Sequence, residues 1–227
     1  MKKYLSFGLI CLLLFACAGD EKMRRISLDI LEEGKRGDIT YYQDKPFTGV
    51  GYSFFENGNL EFEMEYKEGV SDGLTKMFWE NGNLKLETQS VDGVINGLFR
   101  TFYENGKLMT QEYHVNGVAH GESKNWDENG NFGIKFNYKN GKKDGVIEWF
   151  WENGQLKKSG NYTDDKKEGI WKSWYETGQL KSQDMFKNDK QEGWGKYWVE
   201  EGEEGQSFEM YFEDGTGQFE TMRKLYD

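Results

Sequence analysis

A glycine that recurs every 24 residues constrains the fold of this chain more than any other feature. A second set of glycines, from Gly58 to Gly202, keeps the same period. A fixed period of this length is typical of proteins that stack one structural unit many times. The leading glycines are Gly49, Gly73, Gly97, Gly121, Gly145, Gly169, Gly193 and Gly217. The period therefore predicts seven repeats, at residues 49–72, 73–96, 97–120, 121–144, 145–168, 169–192 and 193–216.

Each unit has the pattern of a β-hairpin. The fifth place after the leading glycine is aromatic in all seven units, and the eleventh is apolar in six of them. Between these places lies a turn that reads Glu-Asn-Gly in five units. Asn-Gly between apolar residues is a strong hairpin signal, because both residues tolerate the positive φ of a type I′ turn. We therefore expect two short antiparallel strands in each unit.

Side-by-side hairpins make a long sheet. Alternation of apolar and charged residues at 60–66 is strand periodicity, whereas no helical stripe persists. The sequence predicts an all-β fold, an elongated antiparallel β-hairpin meander of seven repeats with degenerate caps. The caps are predicted at 26–48 and 217–227, and within the first we expect residues 26–31 to pair with 38–42. We expect the fifth-place rings, Phe150 among them, to form the core.

The N-terminus reads as an export signal. Lys2 and Lys3 precede an apolar run, which is too short to span a bilayer, and Ala16 precedes Cys17. The stretch Leu-Phe-Ala-Cys resembles the bacterial lipobox, in which the cysteine is lipidated. We predict a signal peptide at 1–16 and a lipidated Cys17 with a polar tether over 17–25. An ordinary secretory signal with a chance cysteine is the alternative.

The repeats carry a family resemblance over residues 38–217. Units such as GLTKMFWENGNLKLETQSVDG resemble the MORN repeat variants of bacteria, and KPFTG followed by FFENGNL is similar to the start of the YwqK-family antitoxins. The resemblance implies an all-β meander that associates with proteins or membranes. It supplies no catalytic motif.

The residue types argue against several functions. The chain carries a formal charge of −11, which repels phosphate backbones, so we expect no nucleic-acid partner. His114 and His120 have no cysteine partners for a zinc set, and no Ser-His-Asp arrangement can be assembled. We therefore expect no enzyme, no metal and no cofactor. A hydrolase that uses turn carboxylates is the weakest alternative, and only the acidic run at 200–204 departs from the repeat.

Aromatic residues at the fourth and sixth places are the candidate partner surface. A single sheet cannot hide rings on both faces unless it curls or has a partner, and exposed apolar strips often mark interaction sites. We expect a non-enzymatic protein-binding scaffold, in one version antitoxin-like or immunity-like, with glycan binding on the rings as the alternative. The candidate residues are Phe55, Trp79, Tyr103, Trp149, Trp151, Tyr175 and Tyr197.

The location follows from the proposed lipid. One or more acyl chains on Cys17 would hold the protein to a membrane leaflet of the cell envelope. Ala18, which follows this cysteine, is not the aspartate associated with inner-membrane retention, so the outer membrane is favoured. We expect a monomer.

Overall fold

A computed structural model describes residues 23–34, 39–199 and 207–225 of the chain, with side chains as far as residue 216. The predicted signal peptide, Cys17 and the acidic run at 200–204 lie outside the described residues. Among the described residues, none of the helical segments has the length and apolar character needed to cross a lipid bilayer.

Strands make up about two thirds of the described residues, and the described part of the chain has one 3-10 helix, η1 (Leu28–Ile30). The strands are β1 (Arg25–Ser27), β2 (Glu32–Glu33), β3 (Thr40–Tyr42), β4 (Lys45–Pro46), β5 (Gly49–Phe54), β6 (Leu60–Lys67), β7 (Val70–Phe78), β8 (Leu84–Val91), β9 (Val94–Phe102), β10 (Leu108–Val115), β11 (Val118–Ala119), β12 (Gly121–Trp126), β13 (Phe132–Lys139), β14 (Lys142–Lys143), β15 (Gly145–Phe150), β16 (Leu156–Thr163), β17 (Lys166–Trp174), β18 (Leu180–Lys187), β19 (Lys190–Gln191), β20 (Gly193–Trp198), β21 (Ser207–Glu213) and β22 (Thr216–Leu225).

Strands β5 to β22 form one long antiparallel meander, and β2, β3 and β4 form a separate small sheet. From β5 onward each strand pairs with the next along the chain, and the two-residue strands β11, β14 and β19 are short lead-ins to β12, β15 and β20. The ladder continues through β22, which pairs with β21. The all-β meander predicted from the repeat is confirmed.

Two kinds of turn alternate along the meander. At Glu68-Gly69, which joins β6 to β7, both residues have positive φ, 50° and 82°, as a type I′ turn requires. In the Glu-Asn-Gly turn only the glycine does, with φ of 86° at Gly58, and its N–H donates to the carbonyl of Phe55 at 2.9 Å. The predicted type I′ turn at Asn-Gly is therefore wrong. The Asn-Gly segment instead forms a type I turn followed by a left-handed glycine and a β-bulge. The asparagine keeps this conformation because its side chain accepts a hydrogen bond from the backbone two residues later.

Asparagine side chains link successive Glu-Asn-Gly turns. Asn57 accepts a hydrogen bond from the N–H of Asn59 at 2.9 Å and donates one to the carbonyl of Glu80, in the next unit, at 2.8 Å. Asn59 donates to the same carbonyl at 2.7 Å. Bonds of the same kind join Asn81 and Asn83 to Glu104, Asn105 to Glu128, and Asn153 to Glu176. One row of amides therefore stacks the turn edge of the sheet.

Replacing Asn81 with alanine is expected to lower the free energy of unfolding by about 1 kcal/mol, the net value of a hydrogen bond whose carbonyl partner can rehydrate. The substitution removes the bonds to Glu104 and to the N–H of Asn83. Urea denaturation followed by circular dichroism measures the change. Glu80→Ala, in the same turn, is the control, because only the backbone carbonyl of Glu80 receives these bonds. Equal losses in both variants would contradict a stacking role for the amide.

The deepest side chains come from the second place after the leading glycine. Ile147 and Trp171, in successive units, are each 1% exposed and form a core cluster with Phe136. Trp171 makes ring contacts with Tyr162 at 5.3 Å and Phe186 at 5.9 Å between centroids. The core therefore lies under the fourth to sixth units.

The fifth-place rings are not the core that the sequence analysis predicted. Phe54 is 56% exposed, and Phe150 is half-buried against Phe132 with 5.0 Å between ring centroids. The ladder shifts register one residue before the fifth place, between Trp149 and Phe150 in the fifth unit. Because this bulge interrupts the alternation, the fifth-place rings pack along the turn edge and leave the centre of the sheet to the second place.

The first unit is covered by an unexpected arrangement. Strand β1 pairs in parallel with β5, and β2 pairs with β3, so the predicted pairing of 26–31 with 38–42 is replaced by two separate ladders. The 3-10 turn between β1 and β2 causes the separation, since Ser27 caps it. Leu28 then lies over Gly51, where a Cβ would come within 2.8 Å of the leucine. Phe47 is buried beside Tyr66, at 5.7 Å.

Candidate functional site

The sixth-place rings connect each unit to the next. The indole N–H of Trp79 donates to the backbone carbonyl of Phe102 at 3.1 Å. The hydroxyl of Tyr103 donates to the backbone carbonyl of Trp126 at 2.9 Å. The same bond recurs from Trp151 to Trp174 at 3.2 Å and from Tyr175 to Trp198 at 2.9 Å. Each ring is half-buried. These rings therefore have a structural role, and only their outer surfaces remain accessible.

A groove of about 370 Å³ is lined by residues that flank the turns of the fifth and sixth units. Tryptophans supply its apolar walls, and three lysines stand around it. Trp149 forms its inner wall and packs on the core ring of Trp171, with 5.8 Å between the centroids. The lining residues are Trp149, Trp151, Lys157, Lys158, Ser173, Trp174 and Lys181.

The groove lysines lie over aromatic rings. Lys157 places its Nζ 4.2 Å from the ring centroid of Trp151, and Lys181 lies 5.1 Å from that of Tyr175. The Nζ of Lys158 is 5.9 Å from Trp149 and 5.3 Å from Trp171. Cation–π contacts of this length hold an ammonium group without neutralising it. The rings therefore position the charges around the groove.

Carboxylates form ion pairs with several cations of the sheet but, in the described part of the chain, with none of the groove lysines. At the third place of the repeat, Arg100 pairs with Glu87, and Lys196 pairs with Glu209 at 3.2 Å. Among the described residues, no ion pair to a carboxylate joins Lys157, Lys158 or Lys181. The groove thus gathers positive charge that no ion pair compensates in the described part of the chain, although the net charge of the protein is −11.

Lys158 shows the electrostatic effect of this arrangement. Burial lowers the pKa of its ammonium group below the usual range, and the nearby charge of Lys167 lowers it further, whereas Asp184 raises it. Burial disfavours the charged form, and so does a like charge. A negative group bound in the groove would offset both effects.

A second groove, of about 400 Å³, occupies the same places of the repeat in the first and second units. There Glu61 and Lys85 stand where the other groove has Lys157 and Lys181, and Ser53 replaces Trp149. The repeat therefore builds a cleft at the same places in two pairs of units, one cleft with three lysines and the other with one lysine and one glutamate.

Five segments of the chain match the MORN repeat variant, at residues 47–68, 71–92, 95–116, 143–164 and 167–188. The chain is a MORN-repeat protein. Each match begins two residues before a leading glycine, so the matched unit has the same period as the ladder of turns. A comparison with curated proteins gives no match. MORN repeats generally serve as modules that bind proteins or membranes.

The fourth MORN unit, at 121–144, is not among the matched segments. Its sixth place holds Asp127, where five of the other six units have a ring. The carboxylate accepts hydrogen bonds from the backbone N–H of Asn131 at 2.8 Å and from its side-chain amide at 3.0 Å, and these bonds lower the pKa of Asp127. The row of sixth-place rings is therefore interrupted before the fifth unit.

The MORN fold brings together some of the predicted site residues and separates others. Trp149 and Trp151 line the lysine-rich groove, and Tyr175 adjoins it through Lys181. Phe55 lines the groove of the first unit, and Trp79 and Tyr103 lie between the two grooves along the row. Tyr197 lies in a polar network, where its hydroxyl donates to Asp184 at 2.7 Å. Burial raises the pKa of Tyr197 well above its usual range, as does this bond.

Sequence reasoning missed the cations of the site. Lys157 and Lys158 stand at the twelfth and thirteenth places, directly after the turn, and Lys181 repeats the twelfth place in the next unit. Trp174 was assigned to the core as a fifth-place ring, yet it lines the groove. The succession of lysines at the twelfth place was visible in the sequence as a signal. Within the described ranges, His, Cys, Asp and Glu side chains do not gather in groups that could hold a metal ion.

Proposed function

We propose that this MORN-repeat protein is a non-enzymatic scaffold of the cell envelope that binds another protein. The groove between the fifth and sixth units carries this proposal, because it combines half-buried tryptophans with unpaired cations on a rigid sheet. Binding hot spots are enriched in tryptophan and cluster in clefts of this kind. An immunity-like role, in which the partner is a toxin, is one form of this function.

A lipid on Cys17 would place the scaffold on the outer membrane in this proposal. The support is the sequence Leu-Phe-Ala-Cys after a short apolar run, together with Ala18 after the cysteine. The polar residues that follow would separate the sheet from the leaflet. An acyl anchor restricts the protein to the membrane plane, so the partner is expected in the same compartment.

A protein partner fits the groove better than a neutral sugar does. Sugars stack on the open face of an aromatic ring, whereas Lys157 lies over the ring of Trp151 at 4.2 Å. The indole N–H of Trp151 is also committed to the carbonyl of Trp174. Glycan binding is the alternative outcome of the binding experiments.

Trp149→Leu is expected to weaken partner recovery about tenfold or more, as truncation of a hot-spot tryptophan does. Chemical crosslinking in cells that express the tagged full-length protein, followed by quantitative mass spectrometry, measures the recovery. Trp194→Leu is the matched control, because Trp194 is 40% exposed and lies in the seventh unit. Circular dichroism establishes that both variants keep the fold.

Equal recovery with wild type and Trp149→Leu would exclude the groove as the contact surface. Loss in the Trp194→Leu variant alone would move the interface to that part of the seventh unit. Recovery of no protein above an untagged control would overturn the proposed function itself.

A further inference from the structure

The lysine-rich groove gathers three cations around one apolar cleft. Among the third-place cations of the sheet, by comparison, Arg100 and Lys196 have glutamate partners across the ladder. The ammonium groups of Lys157, Lys158 and Lys181 lie over rings, and no carboxylate pairs with them in the described part of the chain. Three cations that line one groove and form no ion pair there favour a ligand that is negatively charged.

The repeat fixes the distance between two of these cations. Lys157 and Lys181 occupy the same place in successive units, and two strand spacings of about 4.8 Å separate such places by about 10 Å. A polyproline II segment rises about 3.1 Å per residue with three residues per turn, so residues i and i+3 lie on one face about 9 Å apart. An extended β-segment repeats its face at about 7 Å and matches this spacing less well.

The walls of the groove favour the same kind of segment. Trp149, Trp151 and Trp174 line it, and aromatic-lined grooves take up polyproline II chains because these are extended and already ordered. A bound carboxylate near Lys158 would also favour its ammonium form and so offset the effect of burial.

We propose that the groove between the fifth and sixth units binds an acidic polyproline II segment of the partner protein, with carboxylates at every third residue. Lys157 and Lys181 each contact one carboxylate, and the tryptophans contact the intervening apolar residues. The inference rests on the proposed protein-binding function and specifies the chemistry of the partner. The corresponding groove of the first unit, with Glu61 opposite Lys85, does not bind this segment.

A labelled peptide of repeated Glu-Pro-Pro triplets tests the proposal by fluorescence anisotropy with the full-length protein in neutral detergent. Repeated Gln-Pro-Pro triplets are the uncharged control, and polygalacturonate is the acidic glycan control. The groove variant is Lys157→Gln/Lys181→Gln. Its matched control is Lys85→Gln/Lys124→Gln, which removes the same charge from the first groove and from a lysine paired with Glu122.

We expect the Glu-Pro-Pro peptide to bind the wild-type protein at least tenfold more tightly than the Gln-Pro-Pro peptide. The groove variant should lose this tenfold preference, and the control variant should keep it. Raising the salt from about 0.1 M to about 1 M should weaken binding, because the Debye length falls from about 10 Å to about 3 Å.

Three results would overturn the proposal: no preference for the acidic peptide, an equal loss in both lysine variants, or groove-dependent binding of polygalacturonate alone. The peptide assay is independent of partner recovery in cells. If crosslinking recovers a partner that needs Trp149 while the peptide does not bind, the protein-binding function stands and the acidic segment is excluded.

Discussion

Trp171→Ala is expected to lower the free energy of unfolding by about 3–5 kcal/mol, the range for deleting a buried aromatic side chain. Trp171 is 1% exposed and contacts the rings of Trp149, Tyr162 and Phe186. These partners come from the fifth and sixth units, so the substitution removes an interface between units as well as a core residue. Urea denaturation followed by circular dichroism measures the loss.

Trp171→Phe is the control for this prediction. The phenyl ring keeps most of the packing and removes an indole N–H that has no hydrogen-bond partner in the described part of the chain. We therefore expect a clearly smaller loss than for alanine. Equal losses for alanine and phenylalanine would show that packing of the six-membered ring does not support this part of the sheet.

Gly160→Ala is expected to cost about 1–3 kcal/mol by overpacking, although alanine normally suits a strand better than glycine. A Cβ on Gly160 would overlap the ring of Trp171, which is enclosed on all sides. Gly133→Ala is the matched control, because Gly133 also lies in a strand and its nearest neighbour, the carbonyl of Asn125, would be at an ordinary 3.6 Å. The control should be neutral or slightly stabilising.

The double variant Gly160→Ala/Trp171→Ala separates steric overlap from other causes. Once the indole is absent, the methyl group at residue 160 has space, so the cost of Gly160→Ala should disappear in the Trp171→Ala background. Such non-additivity is expected for residues in direct contact. Additive losses would contradict the packing of Trp171 over Gly160.

Much of the fold could be predicted from the repeat, and the errors of that prediction, in turn type and core, have local causes. The period and the alternation at 60–66 predicted hairpins, because an uninterrupted period allows only one stacking arrangement. The predicted turn type was wrong because the side chain of Asn57 forms hydrogen bonds to its own turn and to the carbonyl of Glu80. The turn preference of an Asn-Gly pair does not include either bond. Phe150 was assigned to the core because strand alternation was carried across a bulge.

The candidate site was predicted only in part, because some of its features depend on contacts between two units. Trp149 and Trp151 stood out as aromatic residues beside the turn, and they line one groove. The lysines were missed because a charge that lies over a ring cannot be told from one that pairs with a glutamate until the neighbouring unit is in place. Their separation from carboxylates is a property of two units together.

The sequence by itself determined the architecture: a 24-residue period and glycines at the turns leave a hairpin meander as the arrangement that pairs the backbone of every unit. Only the tertiary structure decided which rings are core, linkers or groove walls, since this depends on the bulge and on hydrogen bonds between units. It also decided where positive charge remains unpaired. Backbone pairing is dictated locally by each repeat, whereas burial and electrostatics arise from side chains that are about 24 residues apart and meet only in the stacked sheet.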